Sequence, residues 1–177
     1  MPTGLVFVAV LVPLLALFLE HAGSVRFAAR HHSHHDTYVV PVGVTRSLVL
    51  AMAFMSVAGV LLAWASLVDD SATDPVTILA FTDAFVVTCF ALWWPLCRYK
   101  VSVFGDRMVI TPFVGADVDI PYASIDRMEW VGVRRNSGLR SLDVYSGGRR
   151  VARICGIVDV AQIMMSIDRF DVLPRAE

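Results

Sequence analysis

The hydrophobic positions of this chain fall into two regimes that meet near Cys97 and Arg98. Before that point they form three long runs. No charged side chain occurs from Met1 to Leu19 or from Ser47 to Val68, and only Asp83 interrupts Val76 to Cys97. At about 1.5 Å of rise per residue, each run covers the roughly 30 Å hydrocarbon thickness of a bilayer. Transmembrane helices are therefore predicted at about residues 3–20, 47–68 and 76–97. A cleaved signal peptide would open on a basic segment, and no Lys or Arg precedes Glu20, so the first run reads as an uncleaved helix kinked at Pro13. The second run carries Ala51, Ser56, Gly59 and Ala63 among other small residues, which let helix backbones approach where no hydrophobic effect drives association. Trp93, Trp94 and Tyr99 close the third run, and Trp64 ends the second, as aromatic residues do at the headgroup level.

After Lys100 the runs become short and alternating. Strands are predicted over Arg98–Phe104, Arg107–Phe113, Asp117–Pro121, Asp126–Val133, Leu139–Tyr145 and Arg149–Ile154. Gly105-Asp106 and Ser146-Gly147-Gly148 supply turn chemistry between them. The period then changes: Ile157, Val160, Ala161, Met164, Ile167 and Phe170 recur three and four residues apart, which predicts an amphipathic helix over about Val158 to Phe170. The expected fold is an α+β membrane protein: a transmembrane region over 1–97, then a small antiparallel β domain with a C-terminal capping helix over 98–177.

Composition sharpens this division. The chain has 177 residues, 56% hydrophobic and 18% charged, where soluble domains carry about a quarter charged residues; the apolar excess lies almost wholly before Arg98. A net charge of −1 argues against a nucleic-acid partner. Lys and Arg are retained on the cytoplasmic side of spans. Arg26, Arg30 and Arg46 occupy the first connection, the second (Asp69 to Pro75) has aspartates and no base, and Arg98 and Lys100 follow the third run. The expected protein is thus multi-pass in the plasma membrane, with its N-terminus outside and its C-terminal domain in the cytoplasm.

Ile120-Pro121-Tyr122-Ala123-Ser124-Ile125 in the middle of the strand series, and Tyr145-Ser146-Gly147-Gly148 near its end, resemble the bacterial PH-like domains. In that family a V/I-P-W/Y-x-x-I stretch follows the third strand, and the domain commonly follows transmembrane helices. The resemblance covers about Arg98 to Phe170 and departs from the family in having Tyr122 where Trp is frequent. It implies binding or scaffolding rather than catalysis, with a protein partner or a second copy of the chain, and leaves the ligand open.

Three groups of residues carry candidate chemistry. Asp83 lies within a span, where an ionisable side chain costs about 2.5–3.5 kcal/mol on insertion scales. It reads as a residue hydrogen-bonded to Thr82, Ser56 or water, as a contact to a partner helix, or as an ion-linked site. His31, His32, His34 and His35 offer imidazole, and His31 and His35 share the four-residue spacing of a helical metal pair, yet no HExxH glutamate lies between them; a polar linker near the headgroups is the simpler reading. Arg134, Arg135, Arg140, Arg149, Arg150 and Arg153 are dense enough to meet phosphate or an anionic lipid through bidentate forks, or to pair with Asp143, Glu129 or Asp126 on a solvated strand face. Cys89, Cys97 and Cys155 form no disulfide or metal pattern. No nucleophile motif, phosphate loop or dinucleotide fingerprint occurs, so neither an enzyme nor a cofactor is expected. The function read from these residues is a non-enzymatic, membrane-tethered PH-like module within a membrane assembly. The alternative is an accessory subunit of a transporter or other complex that works through its helices and Asp83.

Overall fold

The computed structural model describes residues 3–28, 36–68, 74–132 and 140–168. Its architecture is α+β, with four α-helices and seven strands among the described residues. The chain divides into two compact units: Met1–His32 with Val42–Leu96, and Ser33–Pro41 with Cys97–Glu177.

The first unit contains α1 (Thr3–Ala28), α2 (Val42–Val68) and α3 (Pro75–Arg98). Each is long and apolar enough to cross a membrane, the apolar stretch of α1 being Thr3–Ala22. Asp74 starts α3 as its cap: its Oδ1 accepts the Val76 N–H at 3.2 Å, and Pro75 fills the first helical position, where no N–H is needed. Pro13 and Pro95 both lie inside helices, as spans tolerate when neighbours satisfy the freed backbone groups. Large apolar side chains point outward: Phe18, Phe54 and Phe81 are 69%, 71% and 70% exposed. Small and medium residues fill the interior, including Ala9, Ala16, Met52, Ala63, Leu79 and Val86, with Trp93 the largest buried side chain. Apolar side chains outside and small residues within are compatible with helices that associate in lipid.

The second unit holds two antiparallel sheets. The first is ordered β1-β2-β3-β4, from β1 (Asp36–Val39), β2 (Lys100–Val103), β3 (Arg107–Thr111) and β4 (Val118–Pro121). The second is ordered β5-β6-β7, from β5 (Arg127–Val131), β6 (Ser141–Ser146) and β7 (Arg149–Ile154). Period-two alternation buries Val101, Val103, Met108, Ile110 and Ile120 in one sheet and Met128, Leu142, Val144 and Ile154 in the other. The β6–β7 turn places Gly147 and Gly148 at φ +58° and +71°, the paired left-handed geometry that a two-residue hairpin demands and glycine supplies. Helix α4 (Val160–Ile167) adds Val160, Ile163, Met164 and Ile167 to the core. Asp159 caps it by accepting the Gln162 N–H at 3.0 Å, and the left-handed Asp168 (φ 51°) ends it. The helix therefore begins and stops inside the expected Val158–Phe170, although 169–170 lie outside the described residues.

Three tyrosines tie these layers together. The Tyr99 hydroxyl, beside β2, accepts the Cys155 N–H just after β7 at 2.8 Å, and its ring stacks on Phe113 at 4.4 Å. Tyr122 donates to the Phe104 carbonyl at 2.8 Å, and burial pushes its phenol up to about 12. Tyr38 meets Ser166 of α4 at 2.6 Å.

The strand that carries Tyr38 departs from expectation. Division of the chain at residue 98 assigns the whole first connection to the membrane region, whereas Asp36–Val39 forms an edge strand of the C-terminal unit, paired with β2 from Asp36↔Val103 to Val39↔Lys100. Thr37-Tyr38-Val39 is rich in strand formers, but a four-residue strand carries little periodic signal of its own, and its partner lies across two apolar helices in sequence.

The pairing has a direct check. Thr37 and Ser102 are Cα partners with hydroxyls 3.3 Å apart, within reach of a disulfide. With Cys89, Cys97 and Cys155 replaced by alanine, Thr37→Cys with Ser102→Cys is expected to crosslink on mild oxidation, so that fragments cut between α2 and α3 stay joined until reduced. Thr37→Cys with Val101→Cys, one residue out of register and facing the other side, should remain open; equal crosslinking of both pairs would refute the register.

Candidate functional site

Pairing between β5, β6 and β7 aligns Glu129, Asp143 and Arg153 in one rung and Arg127, Tyr145 and Arg150 in the next. Because Met128, Leu142 and Val144 face the core, these alternate residues share the opposite face of the sheet. Asp143 is only 3% exposed there. Arg153 covers it with a two-pronged contact, Nε to Oδ1 at 2.6 Å and Nη2 to Oδ2 at 2.9 Å, and Arg150 Nη1 reaches Oδ2 at 3.5 Å. Arg127 pairs with Glu129 at 3.1 Å while its guanidinium lies 4.6 Å from the centre of the Tyr145 ring. Arg140 sits 5.0 Å over Trp130.

The fold thus brings two of the candidate arginines, Arg150 and Arg153, together on one buried carboxylate. Arg140 stands on an aromatic ring, and Arg149 is exposed at the start of β7. Arg134 and Arg135 lie outside the described residues. Asp126, another expected partner of the arginines, instead accepts the Gly148 N–H at 3.1 Å and steadies the hairpin. Part of this positive charge is paired on the sheet face, leaving Arg149 and the outer edges of Arg140, Arg150 and Arg153 toward solvent.

The Arg153 hydrogen bonds hold the Asp143 carboxyl below its ordinary value against the opposing effect of burial, with the Arg153 and Arg150 charges adding to the lowering. The contact in turn raises Arg153. For a carboxylate lowered in the folded state, the stabilisation is complete above the ordinary value of 3.8 and is lost as pH falls through the folded value. Asp143→Asn is expected to cost about 1–2 kcal/mol at neutral pH, below the figure for a fully buried pair because both guanidiniums are about half exposed. Thermal melts of the full chain in detergent should show that difference shrinking as the pH is lowered below the ordinary carboxylate value of 3.8; a difference independent of pH would mean that the role of Asp143 is not ionic.

Asp83 lies on α3 and is 5% exposed, and among the described residues neither carboxylate oxygen has a hydrogen-bond partner. The hydroxyls expected to serve it are committed elsewhere. Ser56 donates to the Ala9 carbonyl of α1 at 2.6 Å, and Thr82 donates to the Ile78 and Leu79 carbonyls, both at 3.0 Å. Beside it α2 and α3 approach closely: a Cβ on Gly59 would stand 2.4 Å from Thr82 Oγ1.

His31, His32, His34 and His35 lie outside the described residues. Among those described, no group of three or more His, Cys, Asp or Glu side chains is placed to hold a metal ion. The arginines and Asp83 are legible in the sequence, but the burial of Asp143 is not: it has no local signature because it depends on two arginines from the neighbouring strand. Comparison of the chain with family models, curated proteins and solved structures yields no match.

Proposed function

We propose that this protein is a membrane-tethered, PH-like binding or scaffolding module, anchored by its three apolar helices and meeting a protein partner or the cytoplasmic leaflet through its C-terminal unit. The element order supports the PH-like reading: four antiparallel strands, three antiparallel strands and a closing helix whose apolar stripe joins the core. The observation that carries the tethered reading is β1. It lies between α1 and α2, while β2 follows α3 after the single residue Tyr99. A sheet built from both segments requires them to share one compartment, which two intervening crossings, α2 and α3, provide. The basic residues Arg46, Arg98 and Lys100 favour the cytoplasm as that compartment. A domain whose first strand is enclosed between spans suits a fixed scaffold better than a freely diffusing enzyme.

The burial of Asp83 without a partner among the described residues favours a second reading, in which the helices are the working part and the carboxyl meets a group on another subunit. Photo-crosslinking in intact membranes separates the two. A photoreactive residue at Arg149 or Val151, both exposed on β7, is expected to capture a protein or lipid headgroup whether residue 83 is Asp or Asn. Capture only from a bundle position such as Phe81, and only with Asp83 intact, would overturn the module reading in favour of the helices.

A further inference from the structure

The cytoplasmic half of the helix unit, as oriented above, holds a polar arrangement that the proposed function does not use. Glu20, on α1, is turned into the bundle. Its Oε1 accepts the Thr45 hydroxyl at 3.2 Å, and its Oε2 accepts the Trp93 Nε1–H at 3.4 Å. Thr45 and Trp93 are both buried, so one carboxylate links all three helices and both of its oxygens are engaged. Beside it, Leu17, Glu20 and His21 of α1 and Arg46, Val49 and Leu50 of α2 line a cleft of about 290 Å³. Arg46 is exposed at its mouth, and among the described residues no carboxylate lies within ion-pairing distance of its guanidinium.

We infer that this α1–α2 cleft binds an anionic phospholipid, with its phosphate on Arg46 and part of one acyl chain against Leu17, Val49 and Leu50. Charge complementarity selects the headgroup: a guanidinium with no carboxylate partner among the described residues, at the depth where a span meets the leaflet, takes a phosphate through a bidentate fork, and basic pockets between helices on that side hold anionic headgroups. The apolar walls select a lipid over a free anion, since inorganic phosphate gains nothing from Leu17, Val49 and Leu50. The volume lies at the lower end of small-molecule sites, enough for a headgroup phosphate and a chain segment while the rest of the lipid remains in the bilayer. The site goes beyond the proposed function, because it lies in the helices and is independent of what the C-terminal unit binds; it rests on that reading only for α1 and α2 lying in lipid with Arg46 at the cytoplasmic leaflet.

Native mass spectrometry of the delipidated full chain in detergent tests it, with dioleoylphosphatidylglycerol, dioleoylphosphatidylcholine or inorganic phosphate as the added probe. The anionic lipid is expected to bind roughly tenfold more tightly than the zwitterionic one, and phosphate alone should leave no adduct. R46Q should abolish the preference and R46K keep part of it. Leu50→Trp should block the cleft and remove the anionic adduct; because Leu50 is 66% exposed, this variant decides the question should R46Q fail to fold. Equal binding of the two lipids, a preference that survives R46Q, or free phosphate binding as well as the lipid would each overturn the site. So would a preference lost in R149Q with R150Q but kept in R46Q, which would place lipid binding on the β-sheet.

Discussion

Gly59→Val is expected to destabilise the helix unit by about 3 kcal/mol, the upper part of the range for overpacking a close-fitted interior. Even a bare Cβ at that position would stand 2.4 Å from Thr82 Oγ1, 2.7 Å from its Cγ2 and 2.8 Å from its Cβ. Thr82 cannot swing aside cheaply, because its hydroxyl donates to the Ile78 and Leu79 carbonyls of its own helix. The clash can be relieved only by separating α2 from α3, which gives up the close approach between the two helices. Unfolding in detergent, followed by the fluorescence of the buried Trp93, measures the loss. Gly59→Ala should show a smaller effect, and Thr82→Ala should recover part of it, because two of the three clashing atoms are then gone. Strict additivity of the two substitutions would disprove the close approach.

Asp83 gives a prediction of opposite sign. With neither carboxylate oxygen partnered among the described residues and the side chain 5% exposed, Asp83→Ala is expected to stabilise the helix unit by about 2 kcal/mol. That figure is the mid-membrane cost of an aspartate, reduced for a position about a third of the way along α3 and for the small cavity left behind. Asp83→Asn, which keeps the shape, should change stability less. A gain in stability marks a residue retained at a cost to the fold, as functional groups commonly are. A loss would mean that the carboxyl does have a partner in the membrane, and would shift weight from the C-terminal module to the helices.

Much of the architecture was legible in the amino-acid order. The helices begin and end within a few residues of the expected limits, apart from extensions at the first-connection end: α1 continues to Ala28, and α2 starts at Val42 rather than near 47. Five of the expected strands shorten or shift by one to three residues, Arg149–Ile154 is unchanged, and the hairpin glycines sit where the turn needs them. The candidate chemistry was legible only as a list of residue types. That Arg150 and Arg153 close on Asp143 while Arg140 rests on Trp130 follows from strand register and a bulge at Val144/Tyr145, neither of which leaves a mark in composition.

By itself, then, the sequence determined what depends on solvent and local period: three runs long and apolar enough to cross a membrane, strands alternating every second residue, and a final described helix repeating every three or four. Tertiary structure alone decided what depends on pairing between distant segments. Tyr38 opposite Val101 makes Asp36–Val39 part of the C-terminal sheet, Glu20 between Thr45 and Trp93 joins three helices, and Asp83 is left without a bond among the described residues. Periodicity reports which face of an element avoids water, but not which other element covers that face, because the covering side chains are brought there by folding and lie far away along the chain.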